Sequence, residues 1–198
     1  MQSIKISGTG TINGGQYDEI ITTGSAKIKG KVKCDLFKTS GSINSDSSVE
    51  AREFKTSGSA KIEGNLKIDE GKSSGAIRVE GKIDADEFSV SGSMVVSGDV
   101  NVDHFTAKIS NGSFVNIYGD KISINEGEIH GSVFFHDVVK NIKAESIEAT
   151  EIYIKDVTVD RVSGDKVFVD EGCTVRVVEY RDSLDISLKT KIDTIIKL

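Results

Sequence analysis

Phe88-Ser-Val-Ser-Gly-Ser-Met-Val-Val-Ser-Gly-Asp-Val-Asn-Val-Asp-His104 is the stretch that decides the fold. Its apolar side chains fall in pairs two apart: Phe88/Val90, Met94/Val96 and Val100/Val102. A separation of two places both members of a pair on one face of a strand. The pairs are divided by corners at Ser91-Gly92-Ser93, Ser97-Gly98-Asp99 and Asp103-His104. The stretch is therefore three short strands and three corners, and the next one starts at Phe105.

The pattern repeats outward from there. Gly-Ser occurs at 24–25, 41–42, 58–59 and 92–93, with Gly75-Ala76 in the remaining slot, so the period is 17 residues. Units start at Ile20, Phe37, Phe54, Gly71, Phe88 and Phe105, and a 16-residue version runs from Ile4 to Glu19. The second corner carries glycine at 14, 30, 64, 81 and 98. From Ile142 to Val167 the apolar positions recur every five residues, with companions at Ala149, Ile154, Val159 and Val169; this predicts a tighter, 15-residue turn. The tail continues with Cys173/Val175, Val178/Tyr180, Leu184/Ile186 and Ile192. Between 106 and 141 the register is unclear, and Ser110-Asn111-Gly112 and Glu126-Gly127-Glu128 are expected to be insertions at corners.

Strands this short are stable only if successive units stack and pair in parallel around one core. The expected fold is all-β: a single-stranded, three-sided parallel β-helix (solenoid) with about 11–12 rungs of 15–17 residues. It is expected to be a single domain over 1–198, regular over 4–105 and irregular or tighter over 106–198. Composition agrees. The 198 residues hold 44 isoleucines and valines against five leucines, which suits pleated surfaces. The chain has no proline, so every backbone N–H is available to a ladder. Phe37 and Phe54 are expected to stack inside, as are Phe88 and Phe105. The register predicts Phe54, Ile62 and Leu66 buried, with Lys55, Glu63 and Lys67 exposed.

Composition also narrows function. A net charge of −6 gives no basic footprint for nucleic acid. No apolar run is long enough to span a bilayer, and Met1 to Ile6 lack the pattern of a signal peptide. A soluble, cytoplasmic protein is expected.

The rung Phe88–Phe105 resembles those of bactofilins, the polymer-forming bacterial cytoskeletal family, in its small corner before an apolar pair, its Gly98-Asp99 and its Val-x-Val ending. Val79-Glu-Gly-Lys-Ile-Asp-Ala-Asp-Glu87 repeats the pattern one unit earlier, and the resemblance extends over residues 20–105. Val169 to Tyr180, with the ending Ile196-Lys-Leu198, is similar to the longer bactofilin-like proteins of Gram-positive bacteria. The resemblance implies a right-handed β-helix that assembles end to end, without nucleotide, into filaments scaffolding envelope, shape or motility machinery. Members of that family usually carry disordered, often proline-rich tails, and none is expected here, where the repeats start at Ile4. With repeats starting at Ile4, no room is left for the short membrane-targeting segment that many members carry, and membrane attachment is not expected.

Candidate chemistry is sparse. His104 sits at a corner, while His130 and His136 flank Gly-Ser-Val-Phe-Phe; none shows metal-ligand spacing with a cysteine or carboxylate. Cys34 and Cys173 fall at inward positions many rungs apart, which excludes a disulfide between them. Asp18-Glu19, Asp35, Glu53, Asp69-Glu70, Asp86-Glu87 and Asp103 recur at the third corner. They are read as one side of an ionic ladder with Lys38, Lys55 and Lys72 rather than as a calcium site. Thr22, Thr39, Thr56 and Ser73 align as a hydroxyl column that alternates with the inward phenylalanines and so should face in. No nucleotide loop, metal cluster or nucleophile–base pair can be assembled, so no cofactor and no enzymatic activity are expected.

The predicted function is that of a self-assembling structural subunit. The alternatives are a monomeric or dimeric binding scaffold for a partner protein and, third, a β-helix enzyme acting on carbohydrate. Parallel solenoids end in unpaired backbone groups beside exposed core, and polar caps normally close them. Here Ile4 and Ile6 at one end, and Leu184, Ile186, Ile192, Ile195, Ile196 and Leu198 at the other, enter strand patterns with no evident cap. These residues are the expected self-association surface.

Overall fold

The computed structural model describes residues 2–127 and 140–198. They form β1 (Gln2–Ile6), β2 (Thr9–Thr22), β3 (Ser25–Ser45), β4 (Val49–Ile62), β5 (Leu66–Val79), β6 (Ile83–Val96), β7 (Val100–Ser113), β8 (Asn116–Ile124), β9 (Asn141–Ile154), β10 (Val157–Val169), β11 (Thr174–Ile186) and β12 (Lys191–Lys197). Each pairs in parallel with the next in chain order, which winds the chain into a β-solenoid of about 11 turns. At about 4.7–4.9 Å per turn the rod is roughly 50 Å long.

Three inward pairs define each turn. In β4 the buried pairs are Val49/Ala51, Phe54/Thr56 and Ala60/Ile62, and the residues inside each pair point outward. The alternation slips phase at Arg52-Glu53 and is interrupted at Ser57-Gly58-Ser59, so one continuous ladder turns two corners. Phe54, Ile62 and Leu66 are fully buried while Lys55, Glu63 and Lys67 are exposed, as the register required.

Register follows the repeat. The offset is 16 residues between Thr9 and Ser25, 17 from Gly15 to Gly92, and 15 between β9 and β10. Gly92 pairs with Ile109 but Ser93 with Asn111, leaving Ser110 as one extra residue at the corner. The largest step lies between β8 and β9, where Asn116 pairs with Ser146 and Asn111 with Asn141, an offset of 30. Glu126 and Gly127 fall within that step; Glu128, His130 and His136 lie outside the described residues.

The rings of Phe37 and Phe54 stack with centroids 5.2 Å apart, and those of Phe88 and Phe105 tilt at 6.3 Å. Gly71 interrupts that column. A Cβ at this position would meet the Phe88 ring at Cδ2, 2.5 Å away. The ring of Phe88 has taken the space that a side chain at 71 would fill.

Candidate functional site

The outer surface carries ionic ladders. Lys31 and Lys33 both reach Glu50, the first at 3.3 Å; Arg78 reaches Glu80 at 2.7 Å, Lys82 reaches Asp84 at 2.9 Å and Arg161 reaches Glu179 at 2.6 Å. Exposed pairs of this kind contribute only about 0–1 kcal/mol each. In the corner column, Glu53, Glu70 and Glu87 stack in register and His104 follows, exposed, with Lys121 after it. Lys38, Lys55 and Lys72 stack in a neighbouring column, and Lys55 pairs with Glu53 of its own turn. Among the described residues, no group of three or more His, Cys, Asp or Glu is placed to hold a metal ion. No helix among them is long and apolar enough to cross a membrane.

Cys34 and Cys173 are buried, unbonded thiols, and burial pushes both up to about 12. Thr22, Thr39, Thr56 and Ser73 are all buried. The hydroxyl column faces the core and offers no surface array.

One polar knot escaped the sequence reading. Asn125 is fully buried with φ 61°, accepts the Ile109 N–H at 2.9 Å, and donates to the Lys155 carbonyl at 3.3 Å. The Lys155 side chain is itself buried, 3.3 Å from Glu171. Beside it Tyr153 bonds Asp170 and stacks on Phe168 with centroids 4.9 Å apart. Asn is tolerated at left-handed φ, the one signal in the sequence that marks Asn125 as a special corner.

The two ends of the rod differ. Ile4 and Ile6 are half-buried; Ile6 lies against Gly10, and Ile12 and Ile20 behind them are closed off. The opposite end is open. Ile186 is 38% exposed, Ile195 50%, Ile196 41%, Leu198 59% and Leu188 fully, while Leu184 and Ile192 are half-buried. Ile195 stacks on buried Val178 and so extends the core, whereas Ile196 stacks on Glu179 and points outward. Leu188, which has no place in the strand pattern, was not among the expected surface residues.

Among the described residues, backbone edges are open at both ends. Within the described residues, β12 covers Thr174–Tyr180 and no strand covers the side of β11 that holds Ser183–Ile186. β1 covers Tyr17–Thr22, leaving Thr9–Gln16 of β2 without an outer neighbour. What this arrangement offers chemically is hydrogen bonding by free strand edges beside an apolar patch. Set against family models, curated proteins and solved structures, the chain matches none.

Proposed function

We propose that this protein is a non-enzymatic structural subunit that self-associates through the ends of its solenoid into filaments. The observation that carries the reading is the placement of exposed apolar residues. Among the described residues, every large hydrophobic side chain that is exposed (Ile186, Leu188, Ile195, Ile196 and Leu198) lies at one end of the rod. Exposed apolar surface beside an unpaired ladder favours addition of another chain, since stacking buries the first and satisfies the second. The resemblance of residues 20–105 to bactofilin rungs supports the same reading.

The test places arginine at Leu184, Ile195 or Leu188 and, as a control, glutamate at Lys61 in the middle of the rod. Sedimentation velocity at rising concentration should show the parent and the control assembling and the end variants staying small. Unchanged assembly of the end variants, with circular dichroism intact, would overturn the proposal. A partner-binding scaffold is the second reading, favoured by the half-buried Tyr153–Phe168 stack on the outer face. It requires a protein that stays monomeric or dimeric at all concentrations.

A further inference from the structure

An open groove of about 530 Å³ runs along the outer face of the rod from β8 to β11. Its two walls are outward columns of the same strands. On one wall Tyr153 of β9 and Phe168 of β10 stand in register and stack, with centroids 4.9 Å apart and planes 6° from parallel. On the other, Lys121, Glu151 and Lys166 stand in register on β8, β9 and β10. Between the walls Ile122, Ile152 and Val167 turn into the core, so backbone forms the floor. Residues two apart along a strand are about 6–7 Å from each other, which sets the width.

The aromatic wall has no part in the core. Among the described residues, Phe37, Phe54, Phe88, Phe105 and Phe114 are all buried, whereas Phe168 is half-buried at a position facing out. The stack is also held in place. The Tyr153 hydroxyl donates to Asp170, which accepts from Ser187 Oγ at 2.7 Å as well. A ring pair fixed in this way loses little freedom when a ligand covers it.

The opposite wall is polar at every turn. Lys166 reaches Glu151 at 2.7 Å and Lys121 reaches it at 3.9 Å, while Glu126, which also lines the groove, accepts from Ser123 at 2.6 Å. Two lysines thus face Glu126, Glu151 and Asp185, and the charge is close to balanced. Ammonium groups donate and carboxylates accept. A ligand that suits both walls has C–H groups on one side for the rings, hydroxyls on the other that donate and accept, and no net charge.

We propose that the groove binds a neutral sugar chain laid along the rod. A pyranose ring packs on the Tyr153–Phe168 stack, and its hydroxyls bond to Lys121, Glu151 and Lys166. The volume falls in the range of about 300–1,000 Å³ usual for ligand sites. A nucleic acid or an acidic glycan would bring repeated negative charge against three carboxylates. An apolar ligand would strip water from the ionic wall and return no hydrogen bonds. Glu151 serves as an acceptor and not as a general acid: its hydrogen bond from Lys166 holds it below the usual carboxylate range, whereas the acid of a glycosidase is raised. The groove lies along the side of the rod, so the proposal does not rest on self-association.

Isothermal titration calorimetry with cellohexaose, chitohexaose and maltohexaose tests it. At least one of the three should bind the parent protein. Phe168→Ala should weaken that binding by about tenfold or more, and Phe168→Tyr, which keeps the ring, should retain it. Lys166→Met should weaken a sugar, whereas it would strengthen a merely apolar ligand. Thermal unfolding confirms that each variant is folded. No heat from any of the three sugars, or unchanged binding by Phe168→Ala, would overturn the proposal. Peptides selected from a displayed library that bind through Phe168, while all three sugars fail, would also overturn it and assign the face to a protein.

Discussion

Thr22 Oγ1 donates to Thr39 Oγ1 at 2.7 Å across one turn of the solenoid, with both side chains buried. Two turns on, Thr56 Oγ1 donates to Ser73 Oγ at 2.8 Å. Hydroxyls in an apolar interior need partners, and these find them in each other. Val90 and Ala107 continue the column once the hydroxyls stop. The column therefore accepts either a paired hydroxyl or an apolar group.

That alternation sets the first prediction. Thr39→Val deprives the Thr22 hydroxyl of its acceptor and should cost about 1–3 kcal/mol. Replacing both threonines by valine should recover most of the loss, because no unsatisfied group remains. Urea unfolding of the three variants measures it. A double variant less stable than Thr39→Val would refute the pairing argument.

Gly58 gives the second. A Cβ there would come far inside 3.0 Å of the Gly41 carbonyl oxygen, and its φ of 127° is one that side chains rarely adopt. Strain and overlap together should make Gly58→Ala cost about 3–5 kcal/mol. At Gly71 the atoms in the way belong to the side chains of Ile68 and Phe88, which can shift. Gly71→Ala should cost only about 1–3 kcal/mol. Equal losses in thermal unfolding would mean that the stacked backbones at Gly58 relax as easily as a ring does.

Much of this was legible in the sequence because a rung is a local object. Phe88/Val90, Met94/Val96 and Val100/Val102 state three strand faces within one turn, and the five-residue spacing from Ile142 states the tighter turn. The step from Ile124 to Asn141 was not legible, since a 30-residue offset hides the period that links the flanking turns. Nor was the burial of Lys155. In a 15-residue turn the corner between Ile154 and Val157 holds only Lys155 and Asp156, which presses them against neighbouring turns. The end columns could be named from spacing, but which end stays open could not. That depends on Ile6 folding over Gly10, a packing event no pattern records.

Acid should weaken the rod. Glu50 is held below the usual carboxylate range chiefly by its hydrogen bond from Lys33, Glu151 by Lys166 and Asp160 by Arg176. A carboxyl depressed in the folded state adds stability above its unfolded value, near 4, and that stability is lost as pH falls through the folded value. Melting temperature should hold from pH 7 to about pH 5 and drop below about pH 4. Raising the salt should shrink the drop, because these pairs are exposed. A melting temperature that rises on acidification would contradict the assignment.

The last prediction uses the two thiols as reporters of the ends. The Cys34 thiol is raised chiefly by burial, with the Asp35 charge adding to the effect, and Cys173 is likewise raised mainly by burial. With values near 12, only about one thiol in ten thousand is thiolate at pH 8, so alkylation of the folded protein should be slow at both. Unfolding in guanidinium should make both react at once. Each thiol lies one turn in from an end: Cys34 is covered by Tyr17 of the first full turn, and the Cys173 carbonyl accepts from the Lys191 N–H of the last strand. Labelling below the unfolding midpoint therefore reports local fraying of the two terminal turns. In end-to-end assembly the terminal turns are covered, so rising protein concentration should slow labelling of Cys34, Cys173 or both. Mass spectrometry of the alkylated peptides follows each site. Labelling unchanged at both sites while sedimentation shows assembly would count against contact through the ends.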